Sequence, residues 1–332
     1  MILLSLALTH AAEHRVVRTA DTVETLAMLL GDPGLAPTIR ELNGLAEGEQ
    51  PIVGAVLVLP SPAHEDEGGV VLTLQGTATA RLTGGDELSV EVGTELPLGT
   101  TVCTDADSYA TLRLTADHHG ADHDEITLME QTCIVVAGSG ASFGQRTALV
   151  SLEQGAIDVR LARDPGQLAI RTIDGVTAAT GGGFRVEKEA EATRTEAVTA
   201  PVSVMGAGVE VQLEAGQGSR VVAGQAPSSP VDLPGAVALA TPEDGEVLVV
   251  PHFEWLEVER ALAYRLEIST EPDFTALVYV EEVEGPPFEP QLLFLPYRVP
   301  GLWWRVSSVD LNGFRGVPST GSLLRSPGGS TL

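Results

Sequence analysis

A chain of 332 residues is long enough for two or three domains with cores of their own. It carries 46 acidic residues against 19 basic ones, a formal charge of −27. Tracking nucleic acid or an anionic lipid surface needs clustered Lys and Arg, and this balance excludes both as partners.

Residues 1–13 (MILLSLALTHAAE) put an apolar run ahead of small residues at Ala11 and Ala12, which resembles the back half of a secretory signal truncated of its basic start. No later stretch reaches the roughly 18 apolar residues of a membrane-spanning helix, so none is expected. His14–Thr19 reads as a short strand. Asp21 is placed to cap a helix in which Val23, Leu26, Ala27 and Leu30 share a face, with Glu24 as capping-box partner. Ala36–Leu42 reads as a second helix with Ile39 and Leu42 inward, stopped by Asn43-Gly44, and Ala55–Leu59 as a strand closed by Pro60.

This βααβ unit, residues 14–60, resembles a LysM domain, through VVRTADTVETLA, IRELNGL and PIVGAVLVLP. The resemblance implies a shallow groove for the N-acetylglucosamine-containing glycans of peptidoglycan or chitin. Carried onto this chain, the groove is lined by Thr19, Asp21, Thr22 and Val23 on one side and by Asn43 to Ile52 on the other.

Residues 61–69 form a polar, proline-containing linker. From 70 to 224 the chain is a succession of short runs such as VVLTLQ, YATLRL, EITLME and AIDVRL, alternating apolar and polar residues and broken by Gly or Asp turns. That is the pattern of half-buried antiparallel strands. The stretch resembles the FecR-type β domain of bacterial periplasmic proteins, through residues 93–132, SLEQGAIDVRL, LAIRTIDGVTAATGGGFRVE and PVSVMGAGVEVQLEAGQGSRVVAGQ. In iron-signalling relatives such a domain relays a signal between envelope compartments. Without a membrane helix, what the resemblance implies here is scaffolding or sensing.

A second linker, 225–242, leads to residues 243–322. There Phe253 and Trp255, then Tyr264, Leu266 and Ile268, alternate inward, and Asn312-Gly313 marks a tight hairpin. The unit resembles a fibronectin type III or immunoglobulin-like sandwich. Trp303 and Trp304 fall on opposite faces, which leaves one of them partly exposed. Residues 323–332 read as a tail. The fold class expected is mainly β: a small βααβ head, a central antiparallel domain and a C-terminal sandwich.

Cys103 and Cys133 both fall inside probable strands, and either form a disulfide in an oxidising compartment or lie as two buried thiols. The densest polar cluster, 117–125, offers His118, His119, Asp122 and His123 as weak zinc ligands; a solvated hairpin tip explains it better. No Gly-x-Ser-x-Gly, HExxH, Walker or dinucleotide motif is present, and no cofactor is expected. The reading is a non-enzymatic, exported protein of the periplasm or cell envelope. It attaches to peptidoglycan through its head and presents β domains to envelope proteins. The alternatives are a purely protein-interacting or sensing module without glycan binding, and a wall hydrolase, which would need a buried acid pair or metal centre in a cleft.

Overall fold

The computed structural model describes residues 12–16, 22–29, 36–43, 45–52, 56–60, 68–82, 85–114, 124–142, 145–161, 167–248, 252–290 and 301–325. The signal-like segment before Ala12, groove candidates Thr19 and Asp21, and the metal candidates His118, His119, Asp122 and His123 lie outside them.

The head runs β1 (Ala12–Val16), α1 (Val23–Leu29), α2 (Ala36–Leu42), β2 (Val56–Pro60), with β1 and β2 paired antiparallel and Val16 opposite Val56. Val23, Leu26, Ala27, Ile39, Leu57 and Leu59 make its core. The cap of α1 sits one residue later than the sequence suggests. Thr25 N–H donates to Thr22 Oγ1 at 3.1 Å and Thr22 N–H to Thr25 Oγ1 at 2.7 Å, so Thr22 is the cap and Thr25 replaces Glu24 as its reciprocal partner. Glu24 turns outward to Arg40 of α2 and to Gln50.

The central unit opens with β3 (Gly68–Gln75), β4 (Ala78–Arg81), β5 (Glu87–Ser89) and β6 (Glu95–Pro97). Then come β7 (Thr101–Thr104), β8 (Tyr109–Leu114), β9 (Glu125–Leu128), β10 (Cys133–Ser142) and the 17-residue β11 (Gln145–Leu161). It closes with β12 (Gln167–Arg171), β13 (Val176–Ala179), β14 (Gly182–Lys188) and β15 (Ala192–Ala197). After these come β16 (Val202–Gly206), β17 (Val209–Leu213), β18 (Gln217–Val222) and β19 (Val231–Asp232).

These strands form two layers around one core. Layer one runs β5-β4-β7-β10-β11-β12-β13-β16-β17. Layer two runs β6-β3-β8-β9-β11-β14-β15-β18-β19. The core takes the inward alternate residues of both, among them Val102, Leu112, Ile126, Ile134, Val150, Ile157, Phe184 and Val204. The ladders are antiparallel except between β11 and β12, which run parallel, Thr147 opposite Gln167. Because β11 leaves layer one before it ends, the chain re-enters that layer beside the strand's first half and in the same direction.

Strand β11 belongs to both layers. Residues up to Gln154 pair with β10 in layer one, and from Gly155 onward they pair with β14 in layer two. The crossing is made at Gly155, whose φ is +84° and whose missing Cβ would lie 2.3 Å from Thr132 Oγ1 and 2.6 Å from Thr132 Cα. At the break Thr132 Oγ1 stands in for a ladder partner: it accepts from Ala156 N–H at 3.0 Å and donates to the Ala156 carbonyl at 3.1 Å. Nearby, Cys103 of β7 lies opposite Cys133 of β10 and the two are bonded, which resolves the choice between disulfide and free thiols. Closing a loop of that length stabilises a chain by about 3–4 kcal/mol in the loop-entropy picture.

The C-terminal unit contains β20 (Leu239–Thr241), β21 (Glu246–Leu248), β22 (Glu254–Trp255) and β23 (Ala263–Ser269). It ends with β24 (Leu277–Val283), β25 (Gly301–Val309) and β26 (Ser319–Arg325). Its main sheet is ordered β21-β26-β25-β23-β24, with β21 parallel to β26, and β20 pairs with β22. Phe253, Trp255, Tyr264, Leu266, Ile268 and Trp304 fill its core as the alternation indicates. The segment between the two units is an ordered strap: β19 pairs with β18, and Leu233 and Val237 are buried.

Replacing Gly155 by alanine puts a Cβ into Thr132 and forces a left-handed backbone on a residue that resists it. The expected loss is about 1–3 kcal/mol, read as a lower midpoint in urea unfolding with the slope unchanged.

Candidate functional site: a charged seam between two β units

On layer two the strands turn their apolar residues toward layer one, so the alternate residues face away from the core. One cross-strand row on that outer face reads Thr73, Thr111, Thr127, Asp158, Arg185, Glu196, Gly218, each opposite the next. Alternation alone would put this row in water. It is buried instead, because the main sheet of the C-terminal unit stacks on it as a third layer: Thr111 is 1% exposed and Glu196 2%.

Thr127 pairs with Thr111 within the row at 2.9 Å, and the other members meet the C-terminal unit across the seam. Thr73 and Thr111 both donate through Oγ1 to the Thr275 carbonyl at 2.6 Å. Asp158 accepts from Arg305 Nη2 at 2.9 Å and from Arg315 Nη2 at 3.2 Å. Arg185 binds Glu196 at 2.8 Å within the row and donates to the carbonyls of Arg315 and Gly316 at 3.2–3.3 Å. Glu196 accepts from Arg315 N–H at 2.7 Å. Gly218 ends the row, and the Phe314 ring takes the space a side chain would fill, 2.7 Å from the site of a Cβ.

The facing sheet contributes its own ionic row. Arg305 and Arg265 both engage Glu267, which Arg305 reaches from the neighbouring strand. Flanking the ions are two aromatic contacts. The Arg305 guanidinium lies 4.5 Å from the centre of the Phe274 ring. Trp303, Phe274 and Leu277 pack on Tyr109 and Met129 of the central unit. Trp304 is the core tryptophan; Trp303, on the opposite face, is partly exposed as the alternation indicates and packs at the margin of this cluster.

Burial by itself pushes the Asp158 carboxyl up, but the guanidiniums of Arg315, Arg305, Arg185 and Arg265 overcome that and hold it well below the usual carboxylate range. Burial likewise raises Glu267, and Arg305 and Arg265 bring it below its ordinary value. Arg185 is lowered, by burial first and then by repulsion from Arg315. The two carboxylates, Asp158 and Glu267, are thereby held in their charged states. Burial also pushes the Tyr109 phenol up to about 12, with Glu130 adding to it.

Beside the seam a hollow of about 280 Å³ opens between the units. It exists because Gly183 falls in the next cross-strand row, beside Arg160, where a side chain would otherwise project. The carboxylates around it are engaged: Arg160 bridges Glu125 and Asp273, and Asp158 belongs to the seam.

Of the glycan candidates, Thr22, Val23, Asn43 and Ile52 fall among the described residues. Val23 is fully buried in the head's core, so its side chain lines no groove, a correction to the sequence reading. Thr22 is engaged in the cap, and Asn43 donates through Nδ2 to the Ile39 carbonyl at 2.7 Å. Ile52 is 78% exposed. Gln50 joins the two sides of the expected groove, accepting from Val23 N–H at 3.0 Å and donating to Glu24 at 3.0 Å. Among the described residues no three His, Cys, Asp or Glu gather to hold a metal ion, and no helix is long and apolar enough to cross a membrane.

No family model matches the chain, and no curated protein does. Two crystal structures described as a "putative anti-sigma factor" from Parabacteroides distasonis are similar to part of it. One is 18% identical over 41% of this chain and 60% of that one, the other 17% identical over 40% and 59%. The TM-score is 0.32 for each, and the match spans less than two thirds of that protein.

Asp158→Asn removes the anion between Arg305 and Arg315 while keeping its shape. Breaking one side of a buried pair costs about 3–5 kcal/mol, and cleavage by a protease within 225–242 should rise with it. Asp158 and Glu267 both have folded pKa values below their unfolded ones. Their stabilisation is therefore complete above about pH 4–5 and is lost as the pH falls further. Acid unfolding should show that loss in the native chain, and its steepness should be reduced in Asp158→Asn.

Proposed function

We propose that this protein is a non-enzymatic interaction or signal-sensing module of the bacterial cell envelope, working through protein contacts. The observation that carries the reading is the seam. It stacks the C-terminal sheet on the central unit through paired charges, giving one stiff three-layer body that presents its outer surfaces in a fixed relation. Asp158 and Glu267 are each clasped by arginines that hold them below the usual carboxylate range, and a carboxylate held in that way neither takes nor gives a proton at neutral pH. That argues against the wall-hydrolase alternative. The Cys103–Cys133 bond supports a place outside the cytoplasm, where disulfides persist.

Glycan tethering through the LysM-like head is the second reading. Its support is the βααβ order of the head and the exposed Ile52 on the loop after α2. The Gln50 bridge and the burial of Val23 weigh against it.

Sedimentation with purified peptidoglycan separates the two. The full chain should remain in the supernatant to the same extent as its Asp21→Ala, Asn43→Ala double variant. Retention of the native chain alone would restore the glycan reading.

A further inference from the structure

At the end of the C-terminal unit nearest the strap, three leucines stand in solvent: Leu256 is 65% exposed, Leu262 60% and Leu311 77%. Leu256 and Leu262 bound one short loop, and Leu311 comes from a turn about fifty residues later that the fold brings beside it. Leu262 N–H donates to the Val309 carbonyl at 2.7 Å, which sets Leu262 beside the β25–β26 turn that carries Leu311. The strap then joins that turn to Leu256. Ser308 Oγ donates to the Gly235 carbonyl at 3.1 Å, and Leu256 N–H to the Ala238 carbonyl at 2.8 Å. Between those two anchors the strap exposes Ala236 and Ala238. The result is an apolar surface assembled from three separate segments. Single exposed leucines are ordinary on a protein; a group of them held together by backbone hydrogen bonds marks an interaction surface.

Around it the exposed charge is acidic. Asp232, Glu257 and Glu259 stand at its borders, and the basic residue within the loops, Arg260, points into solvent at 87% with only Glu259 for company. The chain as a whole has a formal charge of −27, and several of its 19 basic residues are withdrawn into the seam. A second copy would bring the same acidic border against this one. We propose that the surface formed by Leu256, Leu262, Leu311 and the 235–238 strap docks a segment of another protein that sets apolar side chains between lysines or arginines. The leucines supply the contact area and the carboxylates fix which segments are admitted.

This deepens the protein-contact reading and rests on it. Two labelled synthetic peptides of equal charge serve as probes, one alternating leucine with lysine and one alternating serine with lysine. The full chain should bind the leucine peptide about tenfold tighter, roughly 1.4 kcal/mol, in fluorescence anisotropy at moderate salt. In a Leu256→Ser, Leu262→Ser, Leu311→Ser variant the two peptides should bind alike, while Ile173→Ser, at an exposed site elsewhere, keeps the preference. The substituted side chains lie in water, so the variant should keep the native unfolding midpoint. The proposal is overturned by equal binding of both peptides to the native chain, or by a preference that survives in the triple variant. It is also overturned by concentration-dependent sedimentation of the native chain that the triple variant abolishes, which would make the occupant a second copy. Failure here leaves the protein-contact reading standing, since that reading is decided by the peptidoglycan experiment.

Discussion

Asp158 is the point at which the molecule's layers are pinned. It projects from the half of β11 that has crossed into layer two, and it meets Arg305 and Arg315 from two different segments of the C-terminal unit. Were β11 to remain in layer one for two more residues, the carboxylate would be parted from Arg305 and Arg315, leaving Arg305 to Glu267 alone and Arg315 to the more distant Glu196. The crossing at Gly155 and the ion pairs at Asp158 therefore constrain one another. The same crossing places Arg160 two residues further along, bridging Glu125 and Asp273 at the rim of the hollow.

A seam made of ions is a weak source of net stability, because taking charges out of water offsets much of what their attraction returns. Its physical advantage is definition. An apolar interface between two flat sheets can slide by one residue pair and still bury area. A row of threonine, aspartate, arginine and glutamate cannot, since a slip by one step parts Asp158 from Arg305 and Arg315. The aromatic contacts at Phe274, Trp303 and Phe314 add burial on either side of the row. The polar centre sets register, and the apolar flanks supply most of the adhesion.

The strands of residues 68–232 were legible because their inward residues repeat with period two. That same period says which side of a strand is polar without saying what covers it, so the buried outer face of layer two was invisible to it. A signal was nonetheless present: Asp158, Arg185 and Glu196 occupy equivalent outward positions on strands that turn out to be neighbours, with signs alternating, in a chain where basic residues are scarce. The 225–242 stretch reads as a linker from its Pro, Ser and Ala content, and of its larger apolar residues Val231, Leu233, Val237 and Leu239 it is Leu233 and Val237 that are buried. In the head, Val23 was assigned both to the packed face of α1 and to a groove, and one side chain cannot serve both; burial settled it. The cap moved from Asp21 to Thr22 because two threonines three residues apart can satisfy each other's backbone donors, which an Asp–Glu pair of like charge does less well.

The chemistry of the outer face also bears on how the chain is made. All of layer two precedes the C-terminal unit in sequence, so during synthesis, or passage through a translocation pore, the central unit can complete its two layers before its cover exists. A greasy face left bare at that stage would gather other unfinished chains. A face of threonine hydroxyls, carboxylates and guanidiniums stays hydrated in the interval, and it surrenders its water only when Phe314 and the arginines of the last strands arrive.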